Sequence, residues 1–384
     1  MASDGAPALL DAGDTPALLD AAEPSAELLE RLRSWGWNST SFQVTKPGFR
    51  YLRDGDATVA YVDTGGAWVC AGAPIGPDAS LGRAVDAFVR AARGAGRRPS
   101  FFAVERRLLS AAPTLRALAI GQQPVWDPSE WGATVARART LRSQVRRPLA
   151  KGVSARVADP SEVARDAPLY REIDALTARW LASRGMPPMS FLVDIRVGGH
   201  ERERRYVVAE RGGQLVGACL AVPIYARDGW FLENVLRAPG APNGTAELLV
   251  DATMRSIAAD GARYATLGLA PLSGEVAPWL RLARRAGRFL YDFQGLHAFK
   301  TKLCPARWDD VFLACPAGAS RTVAVVDALT AFAGGSLVRF GLRAAAHLAA
   351  PRRARAALPA RGVELGLSSS SRASATRAAV HGGR

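Results

Sequence analysis

The apolar positions of the chain change period several times, and each change predicts an element. Residues 230–237, Trp-Phe-Leu-Glu-Asn-Val-Leu-Arg, read as a strand. Residues 238–244 hold two prolines and two glycines in seven positions and continue neither a strand nor a helix. After Thr245, the residues Leu248, Val250, Met254 and Ile257 recur at helical spacing, and Asp260-Gly261 supplies a stop. Residues 264–269 predict the next strand. A strand, a glycine loop, a helix and a second strand together aim backbone N–H groups at the space between the strand ends.

Earlier in the chain, Ser25 is placed to cap a helix whose apolar face carries Leu28, Leu29 and Leu32. Residues 58–62 and 67–71 predict strands joined at Thr64-Gly65-Gly66, a hairpin pattern. A helix over 84–92 and a strand over 100–104 follow. Residues 136–152 predict a helix rich in cations: Arg137, Arg139, Arg142, Arg146, Arg147 and Lys151. Arg142 and Arg146 share one face, and Pro148 predicts a kink or an end. Ile173, Leu176 and Trp180 mark a helix over 170–183, a loop is expected over 184–189, and 206–210 with 214–222 predict a hairpin.

Both ends look different. Pro7-Ala-Leu-Leu-Asp-Ala recurs from Pro16, within a leader of residues 1–24 expected to be flexible. Residues 321–350 are apolar but interrupted by Asp327, Arg339 and Arg343, so no run reaches the roughly 20 residues of a membrane span. Beyond Gly334-Gly335, the residues Leu337, Val338, Ala345 and Leu348 oppose Arg339, Arg343 and His347, the pattern of an interfacial helix. Residues 351–384 are expected to form a disordered basic tail.

Composition sharpens the picture. The 384 residues are 48% hydrophobic, which supports folded domains, and carry a formal charge of +15, which points to an anionic partner. Only Lys46, Lys151, Lys300 and Lys302 are lysines among fifty basic residues; codon bias toward arginine is the simplest cause, and against it the close pair Lys300 and Lys302 points to a need that arginine does not meet. The four cysteines and four histidines show no ligand spacing, so a structural zinc site is not expected, and the sequence is assigned no cofactor. Free thiols and a first basic residue at Arg31 lead to an expected cytoplasmic location, peripheral at the inner face of the membrane.

Three stretches stand in one order: Leu236-Arg-Ala-Pro-Gly-Ala-Pro-Asn-Gly244, Leu267-Gly-Leu-Ala-Pro-Leu-Ser273, and Gly295-Leu-His-Ala-Phe-Lys-Thr-Lys302. In these the chain resembles the C-terminal catalytic domain of phosphatidylglycerol lysyltransferases and alanyltransferases, over about residues 35–315. The resemblance implies an α/β fold with tandem GNAT-like (N-acetyltransferase-type) domains built on mixed sheets. Their expected extents are 25–135 and 153–320, linked by the basic helix 136–152. It implies transfer of an aminoacyl group from aminoacyl-tRNA to an anionic phospholipid such as phosphatidylglycerol. Arg237 matches the arginine of the family's Asp-Leu-Met-Arg motif and would clamp a phosphate or an oxyanion. The aspartate of that motif falls on Asn234. Glu233 stands one place earlier, where strand alternation is expected to turn it to the opposite face.

Lys300 and Lys302 match the family's Phe-Lys-x-Lys run. Read as a strand, that run would point both lysines one way, to hold the aminoacyl carbonyl or the terminal adenosine phosphate. Asn243 and Gly244 would shape the loop that meets the donor. Glu247 would complement the helix dipole or receive a substrate amine. Arg142 and Arg146 would meet tRNA phosphates or lipid headgroups. Two other classes remain: an acyl-CoA-dependent N-acyltransferase, whose pyrophosphate loop pattern residues 238–244 lack, and a non-catalytic tRNA- or membrane-binding module.

Overall fold

One supersecondary unit is built twice. The structure, a computed structural model, describes residues 17–19, 26–183, 189–281 and 292–349. The first half contributes β1 (Ala17–Leu19) and α1 (Ala26–Trp35), then an antiparallel meander of β2 (Arg50–Asp54), β3 (Ala57–Asp63) and β4 (Ala67–Ala71). Helix α2 (Asp78–Gly94) crosses to β5 (Arg98–Val104), which runs parallel to β4. Next come α3 (Arg106–Ala111), the long β6 (Leu115–Trp126), α4 (Trp131–Arg137) and α5 (Arg139–Leu149). The second half repeats the plan. After β7 (Val153–Ala158) and α6 (Pro168–Ala182), β8 (Arg205–Arg211), β9 (Gln214–Ile224) and β10 (Gly229–Arg237) form a meander. Helix α7 (Thr245–Ala259) crosses to β11 (Tyr264–Thr266), parallel to β10. The remaining elements are β12 (Ala270–Pro271), α8 (Phe293–Lys302), β13 (Arg307–Pro316), α9 (Arg321–Phe332) and α10 (Leu337–Ala349).

The described strands join in one mixed sheet of order β1-β2-β3-β4-β5-β13-β6-β11-β10-β9-β8-β7, with β12 beside β6. This order cuts across the boundaries drawn from sequence. β5 and β11 each leave an edge facing the centre. The late strand β13 pairs with β5, and the early strand β6 pairs with β11. β13 and β6 then pair with each other along their length. The two units are therefore completed by each other's chain.

Apolar spacing accounts for the helices that cover the sheet. Leu81, Val85 and Phe88 of α2 pack with Tyr61, Trp68 and Phe101. Leu248, Leu249, Met254 and Ile257 of α7 pack with Cys219, Ala221 and Leu232, and with Leu141 and Val145 of α5. Phe42, Val125, Val222, Phe231 and Tyr264 close the seam between the halves.

Several expectations change. Residues 17–19, assigned to the flexible leader, pair antiparallel with β2 because that edge strand has free backbone groups to share. The strand expected over 264–269 ends at Thr266. The basic helix breaks at Ala138, whose ψ of 90° is not helical. The Phe-Lys-x-Lys run is helix α8, not a strand. The Asp292 carboxylate accepts from Gly295 N at its start, and Leu296, Phe299 and Leu303 recur at helical spacing. The C-terminal apolar stretch is two helices bent by 53°, and no single described helix is long and apolar enough to cross a membrane. Ser25, residues 184–188 and the tail from 351 lie outside the described residues.

Candidate active site

Strand β10 carries an irregularity that decides where its polar residues go. Leu232 pairs with Ala221 and Asn234 with Leu220, so Glu233 is an extra residue without a partner, a β-bulge. Phe231 packs beside Phe42 and Val222, and Asn234 stands opposite Leu220 on that same face of β9. Glu233 meets Gln43 and Lys46, which flank Phe42, so it turns toward this face as well. The alternation expected from sequence, which sent Glu233 away from Asn234, is cancelled by the bulge.

Glu233 is buried. Lys46 Nζ lies 2.5 Å from its carboxylate, Gln43 Nε2 donates at 2.9 Å, and Arg204 Nη1 stands at 3.5 Å. Lys46 Nζ also donates to the Asp194 carbonyl at 2.6 Å. Burial alone would raise the Glu233 pKa, but Lys46, Arg204 and Gln43 outweigh it and hold the carboxyl below its usual value. Such a carboxylate is a weak base. The cluster ties the first half, through Gln43 and Lys46, to the second. Lys46, Gln43 and Arg204 were not singled out as site residues from sequence; the scarcity of lysine was the signal that could have found Lys46. Asn234 differs from Glu233: its Nδ2 is buried and has no hydrogen-bond partner among the described residues.

Arg237 ends β10 on the opposite face, by strand alternation after Leu236, whose side chain packs with Ile173 and Leu176 of α6. Asn234 and Arg237 therefore lie on opposite faces of β10. Arg237 Nη1 donates to Asn243 Oδ1 at 3.3 Å and is half-buried in the loop that leads to α7. Gly244 starts α7 with φ +97°, and a Cβ there would lie 2.1 Å from the Gln144 carbonyl oxygen. Only glycine lets the backbone of α5 come this close. A Gly244→Ala variant is expected to lose about 2 kcal/mol, from the left-handed backbone and the displaced α5. A denaturant melt that matches the unaltered protein would contradict that close approach.

Leu141 and Val145 of α5 pack with α7, so the arginines on the other side of α5 face outward. Arg139, Arg142, Arg146 and Arg147, with Ser143 and Ala150, line an open groove of about 440 Å³. Glu247, in the first turn of α7, is buried and ion-paired with Lys302 of α8. Lys300 and Lys302 diverge, because two positions on a helix lie about 200° apart. Lys300 is buried, and its Nζ donates to the carbonyls of Leu267, Gly268 and Leu269 at 2.9, 2.8 and 2.9 Å. Burial pushes its pKa down to about 7. In its charged form all three ammonium donors go to the loop after β11, so Lys300 positions that loop and has none left for a substrate. No hydrogen bond or ion pair joins Lys300 to Arg237 among the described residues. The pocket of about 160 Å³ between Ser273 and His297 lies nearby, at the start of α8.

Residues 29–315 match the family model described as phosphatidylglycerol lysyltransferase, C-terminal. The chain belongs to this family. Its transferase chemistry is aminoacyl transfer to phosphatidylglycerol. Two solved structures share the lysyltransferase-domain fold. One is the C-terminal domain of a putative lysylphosphatidylglycerol synthetase from Agrobacterium fabrum. It is 24% identical, with TM-score 0.68, over 81% of this chain and 99% of that one. The other is L-PGS from Bacillus licheniformis, 21% identical, with TM-score 0.68, over 84% of this chain and 98% of that one. No curated protein sequence matches the chain. Within the lysyltransferase domain, the arginines of α5 are open to solvent, whereas Glu233 and Lys300 are interior fastenings.

Proposed function

We propose that the chain takes its aminoacyl group from aminoacyl-tRNA and transfers it to phosphatidylglycerol at the inner face of a membrane. The observation that carries the tRNA part is the row of arginines on the outward face of α5, Arg139, Arg142, Arg146 and Arg147, which line one open groove. A polyanion laid along this groove meets several guanidinium groups together. The reaction is a transesterification. A lipid hydroxyl attacks the aminoacyl ester carbonyl, a tetrahedral oxyanion forms, and the 3′-terminal ribose hydroxyl leaves with a proton. Donors for the oxyanion and close holding of two anionic substrates meet most of its needs. Arg237, steadied by Asn243 in the loop that leads to α7, is the candidate donor that the family motif implies.

Incubation of the chain with radiolabelled aminoacyl-tRNA pools and phosphatidylglycerol liposomes, followed by lipid extraction, tests the reading. Label in the lipid fraction is the expected result, and label that stays on tRNA for every amino acid rejects it. With the active pool identified, Arg237→Met is expected to lower kcat/KM about 100-fold, the usual cost of removing an oxyanion donor. An unchanged kcat/KM would remove Arg237 from the reaction.

A further inference from the structure

Helix α9 presents apolar side chains on both faces. Its inward face carries Ala324, Asp327, Ala328 and Ala331, all buried, together with half-buried Val325. Asp327 accepts two hydrogen bonds from the Arg98 guanidinium of β5, at 2.9 and 2.6 Å. Three aliphatic side chains point outward: Val323, Val326 and Leu329 are 40, 45 and 51% exposed. Thr330 shares this stripe, and its hydroxyl donates to the Val326 carbonyl at 2.8 Å, so its polar atom is satisfied within the helix. Across the 53° bend the apolar surface continues on α10, where Leu337, Val338 and Leu342 are 41, 74 and 68% exposed.

The corner between the helices is held in place. Ser190 N donates to the Phe332 carbonyl, and Arg343 donates to that of Ala333 at 3.2 Å. The Phe332 ring meets Phe102 and Phe191 edge-on, with centroids 5.0 and 5.2 Å away. Charge follows the same surface. Between Arg321 and Gly362 the sequence has seven arginines and one acid, Asp327, whose charge is already paired with Arg98. Arg339 is exposed one position after Val338. The whole corner lies beyond residue 315, where the match to the family model ends.

We propose that the α9–α10 corner is the surface on which this chain lies against an anionic lipid bilayer. The corner lies flat on the membrane and does not span it, since Asp327 and the alanine face keep α9 on the sheet. The six aliphatic side chains enter the boundary between headgroups and acyl chains, while Arg321 and Arg339 meet lipid phosphates. Patches of this kind on soluble surfaces mark interaction sites. The identity of the surface as a bilayer rests on the lipid-modifying reading above, but the contact is measured without the reaction.

Flotation of the full chain with phosphatidylcholine vesicles, with and without phosphatidylglycerol, tests the proposal. The unaltered chain is expected to float with the vesicles that contain phosphatidylglycerol. Combined Val338→Ser and Leu342→Ser, at side chains already open to solvent, is expected to weaken binding at least about tenfold. Transfer to detergent-dispersed phosphatidylglycerol is expected to stay at the level of the unaltered chain. Equal vesicle binding by the variant overturns the proposal. So does loss of binding only on deletion of residues 351–384, which assigns the contact to the tail. A change from dimer to monomer with vesicle binding intact also overturns it, since it makes the corner a contact between copies. Normal vesicle binding without any transfer activity would count against the functional reading alone.

Discussion

Replacing Lys46 by methionine is expected to destabilise the protein by about 4 kcal/mol at neutral pH, because it removes one partner of a buried ion pair. The Lys46 and Glu233 side chains are only 4% and 3% exposed. After the change, Glu233 keeps Arg204 at 3.5 Å and Gln43, which compensate in part, while the Asp194 carbonyl loses its donor. The loss should depend on pH. In the unaltered protein the lowered pKa of Glu233 contributes stability that is present above the unfolded value of 4.5 and is lost as pH falls through the folded value. Without Lys46, burial raises the folded pKa, and protonation relieves the uncompensated charge. The deficit relative to the unaltered protein should therefore be largest near neutrality and shrink on acidification. Urea melts of both proteins at neutral and mildly acid pH measure it. A deficit that does not change with pH would mean that the damage is not electrostatic.

Lys300→Met should cost about 3 kcal/mol, since three carbonyls lose their donor together and water has little access to replace it. The expected functional effect is larger than that figure suggests. The three carbonyls belong to Leu267, Gly268 and Leu269, and this loop leads from β11 to β12, which pairs with β6. Gly268 has φ +67°, and a Cβ there would lie 2.7 Å from the Phe231 ring, so the loop has one tight seating against β10. Released from Lys300, it shifts relative to β10. A fall in kcat without a matching rise in KM is the expected signature of a positioning residue. Stability within experimental error of the unaltered protein would show that the carbonyls find other partners, and the anchoring role would be lost.

Much of the fold was legible in the sequence because local signals agreed with the final structure. The Thr64-Gly65-Gly66 hairpin, the spacing of Leu248, Met254 and Ile257, and the stop at Gly261 describe elements whose own residues decide them. The family motifs brought the mixed α/β architecture with them. What stayed hidden depends on contacts distant in sequence. Lys300 and Lys302 alternate in a way that fits a strand, yet the Asp292 cap and the Leu296-Phe299-Leu303 spacing favour a helix, and the helix separates the two lysines. The bulge at Glu233 leaves no local mark, because it arises from the register of β9 and β10 together with the pull of Lys46 about 190 residues away. The outward stripe of α9 was missed for a related reason. Val323, Val326 and Leu329 look like core residues until Val325 and the alanines on the other face are seen to occupy that place.

The exchange of β6 and β13 has a consequence for biosynthesis. The first unit cannot close its sheet until residues 307–316 have left the ribosome, by which time most of the 384-residue chain has been translated. Until then β5 holds a bare edge, the kind of surface that chaperones shield and that promotes aggregation of nascent chains. A polypeptide released after α5 would lack that closing strand, so neither unit is expected to be inherited, expressed or degraded as an autonomous module.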